Sequence, residues 1–250
     1  MALIAPKLAI RRALSAVARR VLRARSQPFP LEAAAVTLVL APHQDDEALG
    51  CGGLIPLVLG AGHQVHVTYV TDGSASQPGH PNLTALRRAE AFAATALLGV
   101  SSDRLEFLDA RDGSLASLNG YETAALIGQF AATLNRVRPT LVLLPCRADG
   151  SSEHDAAFAL FDQALATTGA RPRVLEFPVW SWWNPLLLRR SLRTKRRIWR
   201  ATFSHQAPLK QQALACYVTQ VQALEPGTEP MLTPAYLSFF AAPEEFFFEQ

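Results

Sequence analysis

From residue 36 the chain alternates between short apolar runs and stretches of helical periodicity. Val36-Thr37-Leu38-Val39-Leu40 predicts a buried strand, residues 47–60 a helix, and Gln64-Val65-His66-Val67-Thr68-Tyr69-Val70 a second strand. A polar loop over 71–82 leads into a helix over 83–98, which Gly99 ends. Leu105 to Leu108 gives a short strand, 121–136 a helix, and Thr140 to Leu144 a third buried strand. A further helix starts near Glu153, and Val174 to Phe177 forms another strand. Continuous apolar strands separated by helices predict an α/β fold, a mostly parallel sheet with helices on both faces. Ligands in such sheets bind beyond the carboxyl ends of the strands. The loops at 41–47, 71–82, 109–119 and 145–154 are therefore expected to share one rim.

Ahead of this pattern, residues 6–25 predict a basic amphipathic helix. Ile10, Leu14, Val17 and Val21 fall on one face, and Arg12, Arg19 and Arg23 fall opposite. Gln27-Pro28-Phe29-Pro30 ends it. Residues 1–30 thus read as an N-terminal helical extension and 31–250 as a single domain. The extension is expected either to pack on that domain or to make peripheral contact with a membrane surface through residues 6–25.

Composition narrows the class. With 250 residues, 49% of them hydrophobic, the chain can bury a core without disulfide or metal staples, and disordered or collagen-like proteins are excluded. No apolar run reaches the roughly 18 residues that a transmembrane helix needs. The net charge of +3 hides two basic segments: residues 1–31 and 189–200 each carry seven Lys or Arg and no acid. The rest of the chain holds 10 basic against 21 acidic residues, so its sequence pI near 9.0 does not describe the body. An acidic body argues against a nucleic-acid partner. Three cysteines, Cys51, Cys146 and Cys216, form no pairing pattern, which favours a reducing compartment, the cytoplasm.

The loop after the first strand reads Ala41-Pro42-His43-Gln44-Asp45-Asp46-Glu47. An imidazole and two adjacent carboxylates at the end of an apolar strand are costly near a core unless a cation uses them. His43 and Asp46, three apart on a turn into a helix, can converge on one ion, whereas neighbouring Asp45 points elsewhere and stays free to take a proton. A hydrolytic zinc site has three protein ligands and keeps one position for water. His154, in Asp149-Gly150-Ser151-Ser152-Glu153-His154 after the third buried strand, is the best third ligand. His63 and His66 lie toward the wrong end of the second strand, and His80 and His205 lack a companion carboxylate.

The segment from Pro42 to Gly53 resembles the signature of the PIG-L/LmbE-like zinc-dependent N-deacetylases, usually His-Pro-Asp-Asp-Glu before a glycine-rich turn, with Gln44 here in the place of proline. Further matches are Thr71-Asp72-Gly73-Ser74, Arg87-x-x-Glu90, Asp112-Gly113, the Asp149 to His154 loop and Lys210 to Gln220, together spanning about residues 36–220. The resemblance implies a Rossmann-like fold and removal of acetyl from an N-acetyl amino sugar conjugate of N-acetylglucosaminyl type. It implies one Zn2+ held by His43, Asp46 and His154, with Fe2+ able to take the same ligands. Zinc-bound water would be the nucleophile, Asp45 the general base, and Arg87 and Asp112 the groups that hold the sugar or its linked group.

One position departs from the family pattern. Ser151 stands where relatives carry the first histidine of the second motif, which polarises the carbonyl or protonates the amine. A hydroxyl is a poor acid. His80 and His205 are the loose alternatives, and the rival expectation is a catalytically weak or inactive sugar- or metal-binding member. A dinucleotide site at Gly50-x-Gly52-Gly53 fails, because two acids precede the glycines and Ile55 stands where the third glycine belongs. Trp180-Ser181-Trp182-Trp183 reads as packing under a loop, and Arg189 to Arg200 as a solvated strand or loop.

Overall fold

The computed structural model describes residues 4–76, 80–147, 149–193, 196–223 and 227–250, with the side chains of 4–6, 189–191 and 193 outside the description. The chain runs α1 (Ile4–Arg25), β1 (Gln27–Pro28), β2 (Val36–Ala41), α2 (Asp46–Cys51), α3 (Leu54–Gly60), β3 (Gln64–Thr71), α4 (Leu83–Leu97), β4 (Leu105–Ala110) and α5 (Gly120–Val137). It continues β5 (Leu141–Pro145), α6 (Ser152–Thr168), β6 (Arg173–Phe177), α7 (Trp180–Trp183), α8 (Pro185–Arg193), β7 (Ile198–Thr202), α9 (Ala207–Ala215), α10 (Val218–Val221), α11 (Pro234–Leu237) and β8 (Glu244–Glu249).

The strands form one sheet in the order β1-β7-β8-β6-β5-β2-β3-β4, parallel except for β8, which runs against both β6 and β7. Period-two alternation splits the strand side chains between two cores. Val39, Ala41, Val67 and Leu143 face the layer that contains α3, α4 and α9, whereas Leu38, Leu40, Val142 and Leu144 face α5 and α6. Both faces are covered, so these strands read as unbroken apolar runs.

The expected parallel α/β architecture is therefore present, and two helical or basic segments differ from expectation within it. The helix expected over 47–60 is two helices, broken at Gly52 and Gly53. The break is held by a buried ion pair: Lys210 Nζ donates to the Leu49 carbonyl at 2.8 Å and to Glu245 Oε1 at 2.7 Å. The Glu245 carboxylate in turn accepts the N–H groups of Gly53 and Leu54, capping α3. Gly50 admits no side chain, because a Cβ there would lie 2.0 Å from the Phe177 ring. The basic run from Arg189 is the second difference. It lies in α8 and β7, and among its described side chains Arg196 pairs with buried Glu176 at 2.6 Å and Arg197 with Glu249 at 3.4 Å. Residues 194–195 lie outside the described residues.

Helix α1 packs on the body, yet not by the apolar face that its periodicity suggests. Ser15, Ala18 and Leu22 are buried, and Ser15 Oγ donates to the Trp182 carbonyl at 2.9 Å. Arg19 lies over the Trp182 ring and Arg11 over Trp183, at 4.0 and 4.3 Å from the ring centroids, while Arg23 pairs with Glu244 at 2.8 Å. Ile10 and Val17 are 60% and 62% exposed, with Leu14 and Val21 beside them on the outer face. No helix among the described residues is long and apolar enough to cross a membrane.

Candidate metal centre

Strand β2 pairs with β3 on one side and β5 on the other, and the connections that leave β2 and β5 run to different neighbours. This is the switch point of the sheet, where the loops beyond two adjacent strands part and leave a crevice. The loop after β2 carries His43, Asp45 and Asp46, and the loop after β5 leads to His154 in the first turn of α6. Sheet order alone thus brings together two motifs more than a hundred residues apart.

The three expected ligands meet. Asp46 Oδ2 lies 3.4 Å from His43 Nδ1 and 3.3 Å from His154 Nε2, and ligand atoms of all three lie within 4.8 Å of one another. Each imidazole has a carboxylate behind it: His43 Nε2 lies 3.1 Å from Asp112 Oδ1, and His154 Nδ1 lies 3.1 Å from Asp149 Oδ2. A metal-binding imidazole is characteristically held this way, through its other nitrogen. His154 Nε2 is buried without a hydrogen-bond partner, so the donor set presents an orphaned atom that a cation would satisfy. Burial alone would lower both imidazole pKa values. Interactions with Asp112 and Asp46 outweigh it at His43, raised to about 9, and those with Asp46 and Asp149 do so at His154, raised to about 10. Against the effect of burial, the two imidazoles pull the Asp46 carboxyl well below the usual range. The cluster collects positive charge, and its residues fit a divalent ion. Among the described residues a second grouping, His43, Asp112 and Glu153, shares His43 with the first.

Asp45 stands apart from the cluster. Its backbone has φ 144°, an uncommon conformation that turns the chain sharply into α2. Arg87, itself buried, donates to the Gln44 carbonyl at 2.7 Å and lies 3.4 Å from Asp45 Oδ2. Burial pushes the Asp45 carboxyl up to about 7, against the opposing pull of Arg87. Below the loop, Glu47 accepts from Asp45 N–H at 3.2 Å and from the Tyr217 hydroxyl. Burial raises its carboxyl to about 8, although the Tyr217 hydrogen bond opposes this.

His43, Asp45 and Asp46 open on a cavity of about 440 Å3. Asp112 and Arg87 border it, Asp112 also accepting Ala75 N–H at 3.0 Å. Trp180, Met231 and Leu232 add apolar lining, and Tyr236 adds a ring with a hydroxyl. Ser151 lines the cavity as well, and its hydroxyl caps α6 by accepting His154 N–H at 3.4 Å. His80 and His205 are not among the lining residues, and His205 is exposed.

Sequence reasoning missed three contributors. Asp149 is wholly buried and accepts the N–H groups of Val179, Trp180 and Ser181, so it ties α7 to the His154 ring. Gln44, standing for the signature proline, donates from Nε2 to the Thr71 carbonyl at 2.7 Å and so joins the β2 and β3 loops. Tyr236 arrives from the C-terminal segment, where no motif marks it. Glu90 of the Arg-x-x-Glu pattern does not pair with Arg87; it accepts Thr219 N–H and Oγ1–H, both at 2.7 Å, and fastens α10 to α4.

A doubly covered, mostly parallel sheet with a buried His, His and Asp cluster at its switch point and a separate carboxylate beside a cleft defines an α/β protein with a candidate cation centre. The model of the PIG-L family, GlcNAc-PI de-N-acetylase, matches residues 38–165, just over half of the chain, and the chain belongs to that family. Among solved structures, the A40926 pseudoaglycone deacetylase Dbv21 is similar at a TM-score of 0.65 and 19% identity, over 86% of this chain and 97% of that one. The N,N′-diacetylchitobiose deacetylase of Pyrococcus horikoshii is similar at 0.59 and 20%, over 77% and 73%. GalB, the 4-carboxy-2-hydroxymuconate hydratase of Pseudomonas putida KT2440, is similar at 0.57 and 23%, over 74% and 79%. These likenesses show the fold.

Proposed function

We propose that this protein is a zinc-dependent hydrolase that removes acetyl from an N-acetyl amino sugar conjugate of N-acetylglucosaminyl type. One observation carries the reading: His43, Asp46 and His154 converge on a single point while Asp45, next in the chain, borders the same cavity outside the cluster. Two imidazole nitrogens and a carboxylate oxygen suit zinc, and Fe2+ takes the same donors. Bound there, the ion supplies a Lewis acid that lowers the pKa of water from about 15.7 to roughly 7. Asp45 takes the proton of the attacking water and returns it to the departing nitrogen. Arg87 holds the Asp45 loop, and its unpartnered Nε, with the remaining lone pairs of Asp112, is assigned to sugar hydroxyls. The apolar wall of Trp180, Met231 and Leu232 suits a conjugate whose linked group is itself apolar.

The fold does not choose the reaction, since a hydratase shares it; the family match supports amide hydrolysis. Zinc-loaded protein is expected to release acetate from at least one member of a panel of N-acetylglucosamine conjugates, measured by coupled acetate assay. A second reading rests on Ser151, which caps α6 where an imidazole is missing. Stoichiometric zinc with no acetate from any conjugate would leave that reading, a sugar-binding protein without turnover, in place of the first.

The three free cysteines support a cytoplasmic setting, and α1 supports contact with an anionic bilayer. Its outer face carries Ile10, Leu14, Val17 and Val21 between the exposed cations Lys7 and Arg20, with no acid anywhere in the helix. The protein is expected to sediment with phosphatidylglycerol vesicles, less with pure phosphatidylcholine, and less again in high salt. The double variant Ile10→Asp, Val17→Asp should abolish this. Failure of the unaltered protein to sediment would reject the membrane contact, as would concentration-dependent self-association that the same variant removes.

A further inference from the structure

Ser151 leaves the proposed hydrolysis without the imidazole that polarises the carbonyl in relatives. When water adds to an acetamide carbon, the new C–O bond forms as the carbonyl π pair moves onto oxygen. Charge develops there before the C–N bond breaks. Enzymes aim a fixed hydrogen-bond donor at that oxygen, and a missing donor typically costs about 10²–10³ in kcat. The Ser151 oxygen accepts the His154 N–H of α6; its own proton is free to donate, but a hydroxyl is a poor acid beside an imidazolium.

Tyr236 is the cavity group built for this task. It sits in α11, whose first turn Thr233 caps by accepting Tyr236 N–H at 3.2 Å. Its ring packs against Trp180, Trp183 and Phe240, with centroids 5.0, 5.8 and 5.3 Å away, so its position is held by neighbours on several sides. The side chain is 3% exposed, lines the cavity shared by His43, Asp45 and Asp46, and its hydroxyl has no hydrogen-bond partner. A buried hydroxyl left unpaired is destabilising, and a substrate oxygen would satisfy it. The phenol also stays protonated. Burial, with Asp149, Asp46 and Asp45 near it, pushes it well above its ordinary range, so it remains a donor at every working pH.

We propose that the Tyr236 hydroxyl donates a hydrogen bond to the acetyl oxygen of the substrate and takes the part that the absent histidine plays in relatives. In this scheme water adds to the acetyl carbon and Asp45 accepts its proton. Tyr236 holds the oxygen as charge grows on it, then the C–N bond breaks and the proton passes from Asp45 to nitrogen. Acetic acid and the free amine result, ionising to acetate and ammonium, and Tyr236 keeps its own proton throughout. The serine at 151 is then a repartition of roles between α6 and α11 rather than a loss of activity.

This inference rests on the deacetylase reading, and its test separates the two. Tyr236→Phe is expected to lower kcat by about 10²–10³ on an N-acetylglucosamine conjugate, with KM little changed. The methylphosphonamidate of glucosamine, which presents a tetrahedral oxygen where the acetyl oxygen develops charge, should bind this variant weaker by about the same factor. Glucosamine itself should bind unchanged. Thermal stability should be equal or slightly higher, because an unpaired buried hydroxyl has been removed; a purely structural tyrosine would lose stability and leave the affinity ratio intact. An active wild type with Tyr236→Phe matching it in kcat and in phosphonamidate affinity overturns the proposal alone. A wild type that neither releases acetate nor binds the phosphonamidate tighter than glucosamine overturns both readings.

Discussion

Replacing His154 by glutamine or alanine is expected to abolish stoichiometric metal binding. His154 supplies one of three converging donors, and its buried Nε2 faces Asp46 at 3.3 Å without forming a hydrogen bond. The consequence is measurable without any substrate. A ligand present at 100 times its Kd stabilises the folded state by about 2.7 kcal/mol. For a chain of this size that corresponds to a rise in Tm of roughly 5–11 °C, at about 2–4 °C per kcal/mol. Zinc should therefore raise the melting temperature of the wild type and leave that of His154→Gln unmoved. Glutamine keeps a polar side chain between Asp46 and Asp149, which alanine does not, so an alanine variant that fails to fold does not decide the matter. Asp149→Asn tests the layer behind: the ring loses its carboxylate partner, and affinity should fall about 10–100-fold with some binding retained. Full zinc stabilisation of His154→Gln would remove this residue from the centre and dismantle the ligand set.

How much of this was legible in the sequence depends on the range over which each feature is encoded. Alternating apolar runs and helices specify the parallel sheet locally, and with it the rim where loops after β2 and β5 meet. His43, Asp45 and Asp46 could be assigned because each lies within a few residues of a strand end, and His154 because it opens the helix after β5, the next strand of the rim. Strands β7 and β8 escaped because their pairing is non-local: Phe246, Phe247 and Phe248 form a short apolar run that gains its place only between β6 and β7. Helix α1 shows a different limit. Periodicity identifies the stripe of Ile10, Leu14, Val17 and Val21, yet the narrow face of Ser15, Ala18 and Leu22 allows close approach to α7 and α8 and is the one the body covers. Arg19 and Arg11 extend that contact by lying on tryptophan rings. Tyr236 was invisible because nothing near it in sequence signals a site; only its distance from any hydrogen-bond partner does.

Asp45→Asn should retain the metal and lose about 10³ in kcat, within the range a positioned general base contributes. The substitution isolates one property. Asparagine is isosteric with aspartate, so it meets the turn at φ 144° with the same backbone demands as the wild type, where a β-branched residue would add strain. The amide still accepts from Arg87 through its oxygen, and Glu47 still receives the backbone N–H of residue 45. What disappears is the capacity to hold a proton between the attacking water and the departing nitrogen. Zinc content and the zinc-induced rise in Tm are the controls, and both should match the wild type because Asp45 contributes no atom to the convergent cluster. Metal lost together with activity would show that Asp45 holds the ion, and the division of labour between adjacent aspartates would then be wrong. Metal retained with undiminished turnover would take the proton-transfer role from Asp45 and pass it to another cavity carboxyl, of which Glu153, with one buried oxygen unpartnered, is the nearest in chain to the cluster.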